Sequence, residues 1–309
     1  MPLMYLAKIN LNSDIFEVYN NKLNIDNVLD EIYNKISEDK TYTEVKLKEF
    51  TNSLGNKIKY EKTSKYNFAE LKKDNDSKII TGKLVRTYNR PTEDFNEKGK
   101  LIDVYEEEHV GIYFYFNVRN ELVAFSMRQA FGYNQFTDAF NNLLNMMIEK
   151  YHFEMFLKKD GNLLTDKLKS LKKIKRVTAT LIPPNANEEE LKILSDTLSY
   201  ISDCKDTNAK KLKLELINTN DEDAGINMEA KMMQDTIKAA VKGYGDITAY
   251  GINHNEREQV IKSNSDAALT RVVNENISEG EYDNEADNFI NSVVAELIKT
   301  NINSNKKGV

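Results

Sequence analysis

The sequence predicts an α+β protein with mixed sheets and βαβ-like units. Short runs rich in Val, Ile, Phe and Tyr alternate with segments whose apolar residues recur at helical spacing. The chain has 309 residues, of which 40% are hydrophobic, so it can bury a substantial core as one large or two moderate domains. We divide it into two intertwined α+β halves, 1–132 and 133–275, followed by an acidic C-terminal amphipathic helix and tail at 276–309.

The first half combines one helix with several β-leaning runs. Val28, Ile32 and Ile36 lie on one helical face, which predicts a helix after an opening strand. Two aromatic-rich runs around Val118, Arg119 and Asn120 predict a hairpin that closes this half. Pro91 and Gly99 place a loop at 89–100. The predicted strands are 3–11, 41–50, 66–71, 79–88, 110–117 and 121–128.

The second half alternates strands and helices. The predicted strands are 153–157, 177–182, 212–218, 247–252 and 259–262, and the predicted helices are 134–151, 163–171, 188–201, 228–241 and 285–298. Gly243 and Gly245 are suited to stop the fourth of these helices, because glycine reaches positive φ at little cost. The last helix has an apolar face for docking on its own chain or on another copy.

Composition narrows the class of protein. Cys204 is the only cysteine, which excludes an internal disulfide and a thiolate metal cage, and a reducing compartment fits best. The first residues lack the pattern of a signal peptide, and no run of about 18 apolar residues is present. We therefore expect a cytoplasmic protein, with no direct membrane insertion.

The chain lacks the common catalytic signatures. There is no nucleophile elbow, no phosphate-binding loop ending in Gly-Lys-Ser or Gly-Lys-Thr and no His-Glu-x-x-His pair. The three histidines are interpreted as a residue of a charged run, His109, a packing residue, His152, and a turn residue, His254. We expect no catalytic residue, no metal site and no cofactor, although Asp138 and Asp246 are the carboxylates to inspect for a magnesium-dependent site.

The charge distribution is uneven although the net charge is only −6. Eight Lys or Arg residues lie between positions 158 and 176 against two aspartates, whereas positions 275–296 hold seven carboxylates and no basic residue. Lysines in such density favour contacts to nucleic-acid phosphates without reading of sequence. A solvated, lysine-rich surface explains the same pattern. The candidate DNA-binding residues are Lys158, Lys159, Lys167, Lys169, Lys172, Lys173, Lys175, Arg176, Lys210 and Lys211, and a second, weaker candidate surface comprises Arg86, Tyr88 and Arg90.

The chain also resembles an uncharacterised family of bacterial and prophage proteins over most of residues 110–275. The resemblance lies in Thr-Ala-Thr-Leu-Ile-Pro-Pro-Asn at 178–185, Ala-Lys-Lys-Leu-Lys-Leu-Glu-Leu at 209–216, and Gly-Tyr-Gly-Asp-Ile-Thr-Ala-Tyr-Gly-Ile-Asn at 243–253. In the order of its elements it is more distantly similar to the RexA phage-exclusion proteins. That similarity implies homodimerisation, sequence-independent DNA binding and a membrane partner, with no site residue carried over.

Three functions follow as hypotheses. The first is a non-enzymatic, sequence-independent DNA-binding protein of an anti-phage or prophage-exclusion system, acting as a homo-oligomer. The second is an interaction module that holds a toxin or a membrane effector partner through the aromatic sheet or the C-terminal helix. The third is a metal-dependent nuclease. Masking of the basic segment by the acidic end of the chain is a further possibility within the first hypothesis.

Overall fold

The computed structural model describes residues 2–52, 55–185, 199–219 and 225–305, with side chains through residue 296. The strands are β1 Leu3–Leu11, β2 Thr41–Thr51, β3 Lys57–Asp74, β4 Ile79–Phe95, β5 Leu101–Asn117, β6 Leu122–Ser126, β7 Phe153–Leu157, β8 Leu171–Leu181, β9 Leu212–Ile217, β10 Gly245–Asn253, β11 Glu258–Lys262 and β12 Thr270–Val272. The helices are α1 Ile15–Tyr19, α2 Ile25–Lys35, α3 Tyr133–Met147, α4 Gly161–Lys169, α5 Tyr200–Asp206, α6 Lys231–Val241, α7 Ser263–Asp266 and α8 Glu279–Asn305.

Eight strands form the first sheet, in the order β12-β1-β6-β5-β4-β3-β2, with β7 also pairing with β1. The register of β1 explains its burial, because Tyr5 pairs with Phe125 and Ala7 with Val123 in the centre of the sheet. Strands β7 and β12 come from the second half of the sequence, so both halves build this sheet. The β5–β6 hairpin predicted from the sequence is confirmed.

Strands β3 to β5 are far longer than the sequence predicts, whereas β2 extends only one residue beyond its prediction. The segment 89–100 was expected to be a loop, which is wrong: β4 and β5 continue through it, from Asn89 paired with Glu107 to Phe95 paired with Leu101. Pro91 fits there because it pairs beyond the point where β4 contacts β3, so its missing N–H leaves no broken bond between those two strands. Only the tight turn between Phe95 and Leu101 remains outside the strands.

Four strands form the second sheet, in the order β11-β10-β8-β9. Helices alternate with these strands as the βαβ-like pattern predicts, yet all three pairings are antiparallel. Val177 and Ile247 point into the core beneath this sheet and are at most 2% exposed. The predicted helix at 188–201 falls largely outside the described residues, and α5 begins at Tyr200.

One large core joins the two sheets. The ring of Phe114 packs edge to face against Phe136 and Phe140 where α3 crosses the first sheet, and the same cluster continues to Ile174 and Ile247 of the second sheet. The amphipathic pattern of α3 accounts for this, because its buried residues recur every three or four positions. The α+β fold class is thus confirmed, with two sheets sharing one interior.

Helix α8 covers the other face of the first sheet. Phe289 and Ile290 pack in a separate apolar cluster with Met4 and Leu6 of β1. The helix therefore docks on its own chain, one of the two arrangements its apolar face predicted. Within the described ranges, no helix is both long enough and apolar enough to cross a lipid bilayer.

Candidate nucleic-acid interface

The cations of strand β8 lie on the exposed face of the second sheet. Two irregularities in its pairing with β10 produce this arrangement: Arg176 pairs with Tyr250 but Ile174 with Gly251, and the register shifts again after Lys173. Each shift leaves one extra residue on β8, the signature of a β-bulge, in which two consecutive side chains share one face.

The bulges therefore group four cations that a regular strand would divide between two faces. Lys172 and Lys173 lie opposite Ile252, and Lys175 and Arg176 lie opposite Tyr250. Burial agrees with this assignment, because Ile174 between the two pairs is 4% exposed while all four cations remain partly or fully exposed. We call Lys172, Lys173, Lys175, Arg176 and Tyr250 the basic face.

Strands β8 and β10 approach so closely at the bulges that β10 has a glycine there, Gly251. A Cβ atom at Gly251 would lie 2.3 Å from the carbonyl oxygen of Lys173 and 3.2 Å from the Cα atom of Ile174. The first separation is shorter than real Cβ contacts and the second is tight, so a larger residue would displace the backbone of β8. Gly251 thus permits the geometry that brings the cations together.

An aromatic ring lies within the basic face. The guanidinium carbon of Arg176 is 4.2 Å from the centroid of the Tyr250 ring, a cation–π contact. The ring thus provides a flat aromatic surface beside the cations. Val260 of β11 pairs with Tyr250 and is 43% exposed, and Ile217 of β9 pairs with Arg176 and is 59% exposed.

Carboxylates also border this face. Lys172 forms an ion pair with Glu256 in the β10–β11 turn, and Arg176 lies 3.7 Å from Glu215 of β9. The Lys172 ammonium holds the pKa of Glu256 below its usual range. Both pairs are solvent-exposed, and exposed pairs contribute little free energy, so phosphate oxygens can compete for these cations.

Two of the predicted DNA-binding residues are not on any surface. Lys158 and Lys159 are 4% and 2% exposed, so the prediction that they contact DNA is wrong. They follow β7 at the junction of the two sheets. Lys159 Nζ donates to Leu157 O at 2.6 Å, to Gly245 O at 2.9 Å and to the Asp246 carboxylate at 2.5 Å, which ties the end of β7 to the start of β10.

The buried ammonium of Lys158 has fewer hydrogen-bond partners than that of Lys159 to offset its loss of hydration. Its Nζ donates to Lys242 O at the C-terminus of α6, at 3.1 Å. Burial lowers the pKa of Lys158 to about 7, and the nearby cations Lys8, Lys242 and Lys159 add to the effect. A cation at a helix C-terminus is favourable, but the desolvation of this ammonium dominates.

The remaining candidates lie outside strand β8. Lys167 and Lys169 are exposed in the last turn of α4, directly before β8. Lys210 and Lys211 precede β9, which pairs with the opposite end of β8. Since a strand advances about 3.3 Å per residue, Lys211 lies roughly 30 Å along β8 from Lys172. Lys211 forms an ion pair with Glu154 of β7, at 2.5 Å.

The second candidate surface is an internal network. Arg86 is 4% exposed, donates to Ser64 and to Ala130 O, and lies with its guanidinium carbon 4.3 Å from the centroid of the Tyr88 ring. Arg90 Nη1 donates to Glu108 at 2.9 Å. These residues brace β4 and β5, and the expectation of a binding surface there is not met for Arg86.

Asp138 and Asp246 border one small polar cavity of about 180 Å³, together with Glu154, Asn141 and Asn264. Desolvation and the nearby Glu44 carboxylate raise the pKa of Asp138. The Asp246 carboxylate is bound by Lys159. Over the described ranges, no three His, Cys, Asp or Glu side chains are grouped closely enough to hold a metal ion.

Other sequence interpretations have clear outcomes. Gly243 ends α6 with φ +85°, and the N–H of Tyr244 bonds Ala239 O, as expected for a glycine stop. Cys204 is buried, and desolvation raises the pKa of its thiol, which agrees with an inert residue. The interpretation of His152 as a packing residue is wrong, because its side chain is 56% exposed.

The acidic helix does not lie over the basic face. Asp283 and Asp287 of α8 accept hydrogen bonds from Tyr113 and Tyr115 of β5, at 2.9 and 3.0 Å. Glu279 pairs with Lys72 of β3 at 3.0 Å. The described side chains of α8 thus meet the first sheet, and masking of β8 by this helix is not observed.

Sequence reasoning missed Tyr250. The alternation of buried and exposed residues along β10 places this tyrosine on the polar side of a strand, which is a detectable signal. The order Lys-Lys-Ile-Lys-Arg-Val at 172–177 is another, since apolar residues three apart do not fit a regular strand. Together they mark the bulged strand and its aromatic neighbour.

The structure thus defines an α+β protein with a cationic, aromatic patch on an open antiparallel sheet. The chain belongs to the family described as domain of unknown function DUF4747, whose profile matches residues 16–290. No curated protein matches the chain.

Proposed function

We propose that this protein binds nucleic acid without reading its sequence, through the basic face of the second sheet. The proposal depends on the two β-bulges in β8. Each bulge brings two neighbouring cations onto the solvent-facing side of the sheet: Lys172 with Lys173, and Lys175 with Arg176. Phosphates spaced along a strand of nucleic acid provide matching negative charges.

The composition of the face favours backbone contact over base reading. Three of its four cations are lysines, which act as point charges and lack the planar fork that recognises guanine. Affinity that comes from counterion release falls steeply with salt. Binding by this face should therefore be similar for unrelated sequences and should depend strongly on ionic strength.

Tyr250 favours single strands over duplex. An open antiparallel sheet with a partly exposed ring allows unstacked bases to lie on the aromatic face, whereas bases in a duplex are already stacked. The contact with Arg176 holds the ring beside the cations. Single-stranded DNA or RNA is accordingly the expected substrate class, with duplex DNA held more weakly through phosphates alone.

The direct test compares binding of fluorescent oligonucleotides of unrelated sequence, single- and double-stranded, at stepped salt concentrations. The double variant Lys172→Glu/Lys175→Glu should weaken binding to single strands by at least about tenfold at low salt, because it reverses two of the four charges. The matched control is Lys22→Glu/Lys35→Glu, which changes the net charge equally at exposed lysines near α1 and α2.

Equal loss in both double variants would mean that only the overall charge matters. Absence of binding by the wild-type chain at low salt would overturn the proposal. Retention of full affinity by Lys172→Glu/Lys175→Glu would remove the basic face as the site.

A cellular role in phage exclusion is part of the proposal and is supported only by the resemblance to the RexA proteins. Cells that express the wild-type chain should then form fewer plaques on phage challenge than cells that express Lys172→Glu/Lys175→Glu. Equal plaque numbers for the two, at equal expression, would mean that nucleic-acid binding by the basic face does not contribute to phage exclusion.

A further inference from the structure

The outer parts of β2 to β5 form two hairpin ribbons that separate from one another. Backbone pairing between β3 and β4 starts at Ser64 and Tyr88 and runs inward from there. Further out, each strand pairs only within its own hairpin, β2 with β3 and β4 with β5. We call residues 44–52 and 55–62 the first ribbon and residues 90–107 the second ribbon.

The two ribbons meet through apolar side chains near their base. The Tyr60 ring of the first ribbon lies 5.7 Å from the Tyr105 ring of the second, and 5.8 Å from the ring of Phe50. Asn89, at the base, accepts from the backbone N–H of Thr63 at 2.9 Å. These contacts mark the facing sides of the ribbons.

Towards the tips the same sides lose their cover. Phe95 and Leu101 pair with each other across the second ribbon on the face that carries Tyr105, yet Phe95 is 69% and Leu101 45% exposed. Tyr105 itself is 51% exposed. Large apolar side chains in such concentration on a monomer surface mark a site that another molecule covers.

The ribbons carry opposite charge. The first ribbon has five lysines and three glutamates, whereas the second has three basic residues and six carboxylates. A second copy of this chain therefore carries the complementary charges. Its acidic second ribbon can pair with the basic first ribbon of the first copy, and its basic first ribbon can pair with the acidic second ribbon of the first copy. A twofold axis between the copies satisfies both contacts at once, which is the geometry of an isologous interface.

We propose that two copies of this protein associate by exchange of these ribbons, with the first ribbon of each copy against the second ribbon of the other. The exposed sides of Phe95, Leu101 and Tyr105 are buried in the joint interface. Charge complementarity fixes the orientation, since like ribbons would repel one another. This interface lies on the first sheet and is separate from the basic face.

The first test is the mass of the wild-type chain in solution by light scattering and sedimentation over a range of concentration. A dimer is expected, and Phe95→Ser/Leu101→Ser should weaken it by at least about tenfold because two large apolar contacts are lost. Both side chains are exposed in one copy, so the fold tolerates the change. The matched control is Val45→Ser/Leu47→Ser, two residues of the first ribbon that are 56% and 78% exposed on the side away from Tyr60.

Charge exchange tests the orientation. Lys46→Glu/Lys48→Glu makes the first ribbon acidic on the side that carries Tyr60, and Glu97→Lys/Asp103→Lys removes the negative charge of the second. Each variant alone should be mostly monomeric, whereas a mixture of the two should form heterodimers, because both of its contacts then join opposite charges. Circular dichroism spectra verify that each variant folds.

A wild-type chain that stays monomeric at its highest soluble concentration overturns the proposal. So does a dimer that Phe95→Ser/Leu101→Ser leaves unchanged. A dimer whose two charge variants fail to associate on mixing excludes the exchange of unlike ribbons.

Discussion

The guanidinium carbon of Arg176 lies 4.2 Å from the centroid of the Tyr250 ring, across the central pair of strands in the second sheet. Arg176 and Tyr250 are direct partners in the pairing of β8 with β10, so their side chains share one face, and the bulge at Lys175 adds a second cation to that face. The consequences of that arrangement can be measured.

Tyr250→Ala should weaken binding to single-stranded oligonucleotides by about 1–3 kcal/mol, the free energy of stacking one base on an aromatic side chain. Binding to duplex DNA should change little. Tyr250→Phe keeps the ring and should retain the affinity of the wild type. Fluorescence anisotropy with matched single and double strands measures all three effects, and equal losses for both substrates would contradict a stacking role.

Gly251→Ala should destabilise the protein by about 1–3 kcal/mol, the usual cost of overpacking a filled site. The added Cβ would lie 2.3 Å from Lys173 O, so the bulge must shift. Urea denaturation measures the loss. Gly280→Ala is the control, because a Cβ there would meet nothing within 4 Å. If Gly251→Ala were as stable as the wild type, the close approach of β8 and β10 would be wrong.

Lys158→Met should stabilise the protein at neutral pH by about 2–4 kcal/mol and flatten its stability profile above neutrality. Burial lowers the pKa of Lys158 from 10.5 to about 7, while its unfolded value stays near 10.5. Between these values the unfolded chain binds more protons, so this group makes the free energy of unfolding rise with pH, by linkage.

Denaturation at a series of pH values from 6 to 10, about the window of that shift, measures this prediction. Lys238→Met, at an exposed position of α6, should keep the slope of the wild type. The remaining dependence on pH includes Lys159, whose pKa burial also lowers. A Lys158→Met slope equal to that of the wild type would show that this ammonium stays hydrated.

Ile290→Ala should cost about 2–5 kcal/mol of folding free energy, as for other large-to-small changes in a core. Ile290 is fully buried between α8 and the first sheet. The control Asn288→Ala lies on the exposed side of the same helix. Thermal and urea unfolding measure the difference, and near-equal stability of the two variants would mean that α8 does not pack on its own chain.

The α+β class, the β5–β6 hairpin and the helix stop at Gly243 follow from the sequence itself. Each depends on local chemistry: alternating apolar residues, apolar residues at helical spacing and a glycine at positive φ. The amphipathic face of α8 also follows from local sequence. The surface that it packs against does not, since Phe289 and Ile290 suit any apolar partner.

The tertiary structure alone decided which basic residues share a surface. Lys158 and Lys172 look equivalent in the sequence, yet one is sealed between two sheets and the other is exposed. Burial of Lys158 depends on β7 pairing with β1 and on α6 ending beside it, contacts between residues far apart in the chain. The basic face likewise needs the pairing of β8 with β10, because a bulge is a property of two strands and only their register brings Arg176 onto Tyr250.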